Sequence, residues 1–299
     1  MSKKIGKTDL RRLQEVEVEI LDEIVRICNK HNLEYFLIGG TCLGAIRHKG
    51  FIPWDDDIDI AMPRDDYEKF IDIAIKELKD DYFIQCNKTD KLHYLGYIKI
   101  RKNNTTFSNL KDGVKTESHL GFFVDIFPLD YTNDVNSLSL RINITLAKNL
   151  TETMIYKKKY KKFFELRHPL ISAIGLPFNI QQLQKIVVSL MKKHNKREHK
   201  YVGVFSGAYF YKKDTFPIDK VFPALYVTFE GKKYKTFNDS RWYLEHLYGD
   251  YMKLPDEKDR VSHNPKQLLF DEGKNLNSLD EFNKNKKNGK GRNYYEKRK

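Results

Sequence analysis

Apolar positions along this chain recur with a period near 3.6 in some stretches and near 2 in others, and the switches between the two divide it into elements. From Thr8 to His31 apolar residues fall at Leu10, Leu13, Val16, Ile20, Leu21, Ile24 and Ile27. That is the spacing of one helical face, and Thr8 or Asp9 can cap its start. "EYFLI" at 34–38 is a short apolar run closed by Gly39-Gly40, as for a buried strand ending in a turn, and "TCLGAIRH" reads as a helix starting at Thr41. "WDDDIDIAM" at 54–62 alternates, which puts Asp57 and Asp59 on one face of a strand and Ile58 and Ile60 on the other. "YLGYIKIRK" and "GFFVDIFPLD" (121–130) read as further strands, the second ending near Pro128. No internal repeat is present.

With 299 residues, 40% of them hydrophobic and 13% aromatic, the chain can bury a substantial core. Cys28, Cys42 and Cys86 are odd in number, widely spaced and without a CxxC pair. They therefore predict neither a disulfide framework nor a zinc or redox site, and a reducing cytoplasm is the expected location. The opening residues lack the apolar core of a secretory signal, and nothing later supplies the ~20 consecutive apolar residues of a span.

The net charge of +13 is unevenly distributed. Residues 283–299 carry eight Lys/Arg against one Glu, so this stretch holds +7 and the rest of the chain +6, and it reads as a disordered basic tail. Two further basic clusters, "YKKKYKK" at 156–162 and "KKHNKREHK" at 192–200, flank the charge-free run "PLISAIGLPFNIQQLQ" at 169–184. That run suits an interfacial or core helix pair better than a span. The clusters are either solvated faces or sites of attraction to anionic lipid or a phosphate-rich acceptor; no recognition motif points to nucleic acid.

The acids carry the chemistry. Two carboxylates on one strand face, among Phe51, Ile52, Trp54, Ile58, Ile60 and Met62, repel each other unless a cation lies between them, and the hard oxygen preference of Mg²⁺ fits. Asp55 and Asp56 read as shaping the turn into the strand, and Asp130 as a loop or cap residue. Asp125, inside the apolar 121–130 strand, needs a partner: a metal, or a structural hydrogen bond or ion pair. Gly39, Gly40 and Thr41, between a strand and a helix N-terminus, are either an anion cradle or a tight structural turn. Arg47, His48 and Lys49 either meet phosphates or complement the helix dipole. Lys99 and Arg101 share one face of their strand and either reach the same cleft or line a surface edge. Arg260 and His263 form a late basic pair in "DRVSHNP".

The stretch "GGTCLGAIRHKGFIPWDDDIDIAMPRDDYEKF" resembles the signature of the LicD family of phosphotransferases, related to the fukutin-type ribitol-phosphate transferases. "FFVDIFPLD" resembles its second block, and "FEGKKYKTFNDSRWYLEHLYGDYMKLP" (229–255) its C-terminal block. The resemblance implies an α/β (α+β) fold: a polymerase β-type nucleotidyltransferase core with a mixed sheet over 1–130, completed by 216–282. A mainly helical insertion would fill 131–215. It also implies that the Gly-Gly turn and the carboxylates Asp57, Asp59 and Asp125 hold Mg²⁺ and a nucleotide, with Thr41 where a serine is common. The implied reaction moves phosphocholine or a related phospho-alcohol from CDP-choline or another CDP-alcohol to a hydroxyl of a glycan acceptor, such as a teichoic acid, lipopolysaccharide or capsule precursor. The acceptor would be lipid-linked, and the enzyme would work at the inner membrane face, held by its basic clusters. The other reading is a catalytically silent glycan- or lipid-binding protein. A choline group would want an aromatic cage, for which Trp54, Tyr94, Tyr97, Trp242 and Tyr243 are available.

Overall fold

The inward stripe of the first helix sets the frame on which the sheet is laid. In a computed structural model, which describes residues 6–109, 118–159, 175–195, 199–263 and 265–270, helix α1 spans Lys7–His31. It begins one residue before the predicted caps: Gly6 is the N-cap, and Asp9 lies in the first turn, where its charge complements the dipole. Asn32, in the left-handed conformation, ends it. The basic tail, the 160–162 end of one basic cluster and the 196–198 part of the other lie outside the described residues.

Strand β1 (Phe36–Leu37) is shorter than the apolar run suggests, because helix α2 (Gly39–His48) begins at the glycines and not at Thr41. Gly39 has φ of +55°, which the absence of a Cβ permits. Strand β2 (Ile58–Pro63) runs directly into α3 (Arg64–Glu77), followed by β3 (Tyr82–Gln85), β4 (Ile98–Lys102), β5 (Thr106–Ser108) and β6 (Phe123–Thr132). The chain continues through α4 (Leu138–Lys159), α5 (Ile180–Lys192), β7 (Tyr201–Gly203), β8 (Thr215–Pro217) and α6 (Ile218–Val221). It finishes with β9 (Leu225–Phe229), β10 (Lys232–Thr236), α7 (Ser240–Tyr248) and β11 (Gln267–Leu269).

The main sheet has the order β3-β4-β6-β2-β1-β10-β9, with β7 and β8 continuing from the far half of β6. Its central pair, β2 and β6, is parallel, whereas β4 with β6 and β1 with β2 are antiparallel. The fold is thus α/β with a mixed open sheet. The principal core gathers Ile20, Ile24 and Ile27 of α1 with Phe36, Ile58, Ile60, Ile100, Val124 and Ile126 of the sheet and Phe70 of α3.

One local outcome differs from the sequence reading, and another agrees with it. β6 does not stop near Pro128 but runs to Thr132, so Asp130 lies inside it and not in a loop. Its fully buried carboxylate accepts from Arg64 Nε (2.8 Å) and Nη2 (2.5 Å) and from Asn195 Nδ2 (2.8 Å), joining the start of α3 to the end of β6. In the described part of the 169–184 run Leu176 and Phe178 are exposed, and Asn179 and Gln182 form a capping box at the start of α5. Leu183, Val187 and Met191 then pack on Leu140, Ile144 and Met154 of α4 in a second cluster.

Candidate active site

Strand register assembles the site. Opposite Asp125 on β6 stand Asp59 on parallel β2 and Lys99 on antiparallel β4, so one line across three strands reads Asp59, Asp125, Lys99. Residues in register in neighbouring strands project to the same face. Lys99, buried like its partner, donates from Nζ to both carboxylate oxygens of Asp125 at 2.5 and 2.7 Å. The same ammonium stands 3.6 Å above the Phe123 ring. Burial lowers the Lys99 pKa, and Asp125 opposes the shift.

The strand begins one residue later than the alternation predicts. Asp57 immediately precedes β2, at the end of the loop that carries Asp55 and Asp56. The loop is shaped by Asp55 N–H donating to Ile52 O (2.9 Å) and by Gln14 Nε2 of α1 donating to Asp55 O (2.9 Å). The glycine turn closes over it. A Cβ on Gly39 would lie 3.3 Å from Asp59 Oδ2, and one on Gly40 would lie 2.9 Å from Asp55 Oδ2. Bare glycines are therefore what allow the backbone to approach both carboxyls. Thr41 Oγ1 accepts from Asp59 N–H (2.8 Å), and Gly39 N–H donates to Tyr243 Oη (2.8 Å), so the turn is bolted to β2 on one side and to α7 on the other.

The carboxyls are crowded enough to disturb one another. Burial, then the charges of Asp57 and Asp56, holds Asp55 well above the usual carboxylate range. Asp59 is raised likewise by burial, with Asp57 and Asp125 adding to it. Burial pushes Asp57 to about 6 against the pull of His263. That histidine arrives from the far end of the chain because β11 pairs with β5. Its backbone N–H donates to Asp56 Oδ1 (2.9 Å), its Nδ1 lies 3.2 Å from the same oxygen, and its Nδ1 is 3.7 Å from Asp57 Oδ2. The hydrogen bond with Asp56 raises it to about 9, against its own burial.

Not every predicted residue joins this group. Arg47 and His48 sit at the other end of the ten-residue α2, a separation of about 15 Å from its first residue along the axis. There Arg47 donates to His48 Nε2 (2.9 Å) and to Tyr251 O (2.6 Å), tying the helix end to the 249–253 turn. Arg101 follows Lys99 on the same strand face, yet its donors go to Gln85 Oε1 and Gly121 O, each at 2.6 Å. Arg260 lies over Trp54, with its guanidinium carbon 4.3 Å from the ring centroid. The five aromatics go to separate neighbours. The Tyr243 hydroxyl holds Gly39, Tyr94 packs on the helical cluster, Trp242 stacks on His246, and Tyr97 rests on Phe127. The sequence reading also missed contributors: Asp56 and Asp55 do more than shape a turn, and Glu17 on α1 is wholly buried among the same charges. The available signal for Glu17 was an acid where the helical stripe calls for an apolar side chain.

Could these residues hold a divalent cation? Among the described residues, Asp56, Asp57 and His263 offer ligand atoms that all lie within 4.8 Å of one another. Asp59 and Asp125 add carboxylates along the strand line. The donors are mostly hard oxygens, in excess over the two protein cations that face them, Lys99 and His263. Such a set suits Mg²⁺. A cavity of about 210 Å³ lined by Arg64, Glu68, Asp72, His93, Tyr97 and Gln184 does not rival it. That cavity contains none of the clustered acids, and its charges are already paired: Arg64 with Asp130, Glu68 with Lys192 and Asp72 with Lys88.

Residues 32–171 match the family described as "LicD/FKTN/FKRP, nucleotidyltransferase domain". The chain is 31% identical over 263 residues to the lipopolysaccharide cholinephosphotransferase LicD of Haemophilus influenzae, covering 86% of this chain and 96% of that one. It is also 36% identical over 70 residues to an uncharacterised protein of Rickettsia typhi, 23% of either chain. An uncharacterised protein of Rickettsia prowazekii is 25% identical over 118 residues, 37% of this chain and 44% of that one.

Proposed function

The chain belongs to the LicD family of phosphotransferases, and from that premise we propose that it transfers phosphocholine from CDP-choline to a hydroxyl of a lipopolysaccharide or related lipid-linked glycan, using Mg²⁺. The observation that carries the reading is the line of Asp59, Asp125 and Lys99 across three strands beneath the Gly39–Thr41 turn. Asp57, Asp59 and Asp125 would hold the ion, with Asp56 and His263 beside them. Bound there, Mg²⁺ would neutralise charge on the donor diphosphate and on the departing CMP. The turn supplies a backbone surface without side chains, against which a diphosphate can lie close to the carboxyls. Asp125 takes the proton of the acceptor hydroxyl on one carboxylate oxygen. Lys99 Nζ, bonded to both oxygens, orients that carboxylate. His263 fixes Asp56 and holds the acid loop against the C-terminal segment.

The test is a mass-spectrometric screen of CDP-choline, CDP-ethanolamine, CDP-ribitol and CDP-glycerol with lipopolysaccharide as acceptor. CMP release is expected to be fastest with CDP-choline, with phosphocholine recovered on the glycan and both signals lost in EDTA. Preference for another CDP-alcohol would overturn the choline assignment, and full turnover in EDTA the Mg²⁺ assignment.

A lipid-linked acceptor requires the enzyme to reach a membrane surface, and no helix among the described residues is long and apolar enough to cross one. The proposed contact is peripheral. It is supported by the basic clusters and by Leu138, Ile142, Leu176 and Phe178, which the helical hairpin turns to solvent. Co-sedimentation with anionic liposomes is expected to be strong at low salt, to weaken as salt screens the charge, and to fall on deletion of 283–299. Full-length protein that ignores anionic liposomes at low salt would rule this contact out.

A further inference from the structure

Glu17 breaks the pattern of its own helix. It lies between Leu13 and Ile20 on the stripe that α1 buries, and its residue exposure is 0%. Among the described residues, neither of its carboxylate oxygens has a hydrogen-bond partner. A buried, unpartnered carboxyl is costly, and natural folds keep one where it meets a charge or a ligand. The charges that bear on Glu17 are those of Asp57, Asp56, Asp55 and Asp125, in that order. Gln14, one turn earlier on the same helix face, already touches this loop through Asp55 O. Glu17 therefore lies beside the acid loop on the α1 side, and among the described residues no cation is bonded to it. It also precedes residue 32, where the family match begins, so it comes from an element outside the matched residues.

We infer that Glu17 is a further carboxyl of the divalent-cation site, supplied by α1, whose charge strengthens the hold of the 55–57 loop and Asp125 on the ion. The inference rests on the Mg²⁺ reading above. It explains why an acid occupies an apolar position: the cation that neutralises the loop neutralises Glu17 as well. It also couples α1 to the site, so that cation binding tightens the packing of this helix on the sheet.

The test measures cation binding, not turnover. Mn²⁺ is titrated into full-length protein and its free fraction followed by electron paramagnetic resonance, with melting recorded in EDTA and in Mg²⁺. Glu17→Gln is expected to weaken Mn²⁺ binding on the order of tenfold. Its melting temperature in EDTA should stay level or rise, because the amide is no costlier to bury than the crowded carboxyl it replaces, while the rise produced by Mg²⁺ shrinks. Glu17→Leu, which completes the apolar stripe, serves if the amide variant folds poorly, and should show the same loss of affinity. Unchanged Mn²⁺ affinity and an unchanged Mg²⁺-induced rise in either folded variant would overturn the inference and leave the site reading intact. If unaltered protein binds no Mn²⁺, the metal reading fails first and takes the role of Glu17 with it.

Discussion

Asp57→Asn and Asp59→Asn each lower CMP release from a CDP-alcohol by on the order of 10³-fold or more, while the protein melts no earlier than the parent. The two halves of this expectation have one cause. Among the described residues no cation is bonded to Asp59, and Asp57 has His263 at 3.7 Å; both carboxyls are crowded by acids and raised in pKa by burial. An amide of the same shape removes repulsion from the empty site and costs the fold little. On the proposed Mg²⁺ reading, the same change would remove a hard anionic ligand from the ion that would balance the donor diphosphate. Initial rates with saturating CDP-choline, alongside thermal melts in EDTA, check both halves. Near-normal turnover in either variant would remove that residue from the metal site.

Asp125→Asn behaves differently. Turnover falls by on the order of 10²-fold or more if the carboxylate is the base, and the pH–rate profile changes. Here the fold suffers as well, because Lys99 is buried and bonded through both oxygens of Asp125, and the amide leaves that ammonium without a counter-charge. Breaking a buried pair from one side costs about 3–5 kcal/mol. The double variant Asp125→Asn with Lys99→Met should regain most of the lost stability without regaining activity. Melting curves for the two single variants and the double variant separate the roles. A pH–rate profile unchanged from the parent would reduce Asp125 to a structural partner of Lys99, and an unshifted melt in Asp125→Asn would show that the pair contributes little to the fold.

Much of this was written locally. The helical stripe of α1, the strand periods around Ile58–Ile60 and Val124–Ile126, and the Gly-Gly turn needed only neighbouring residues, because the hydrophobic period and the glycine φ are local constraints. The acids of 55–59 and Asp125 could be picked out for the same reason: carboxylates inside apolar runs need explaining. Element ends were less legible. α2 begins at the glycines because the backbone there can turn with positive φ, and β6 runs past Pro128 because β2 pairs with it as far as Leu129 and β7 pairs with Asp130, Tyr131 and Thr132.

What the sequence alone determined was which residues are chemical and which face of each element is buried. What only the tertiary structure decided was which of those residues meet. Register across β2, β6 and β4 sets Asp59 and Lys99 either side of Asp125, a relation between segments far apart in the chain that no local period encodes. The same long-range pairing, β11 on β5, delivers His263 to Asp56 and Asp57. Helix length, by contrast, carries Arg47 and His48 away from the glycines they follow. Burial is likewise a collective property. Glu17 stands out locally only as an acid on an apolar stripe; that it is wholly buried, with the charges of the acid loop bearing on it, is decided by the sheet and loop that close over it.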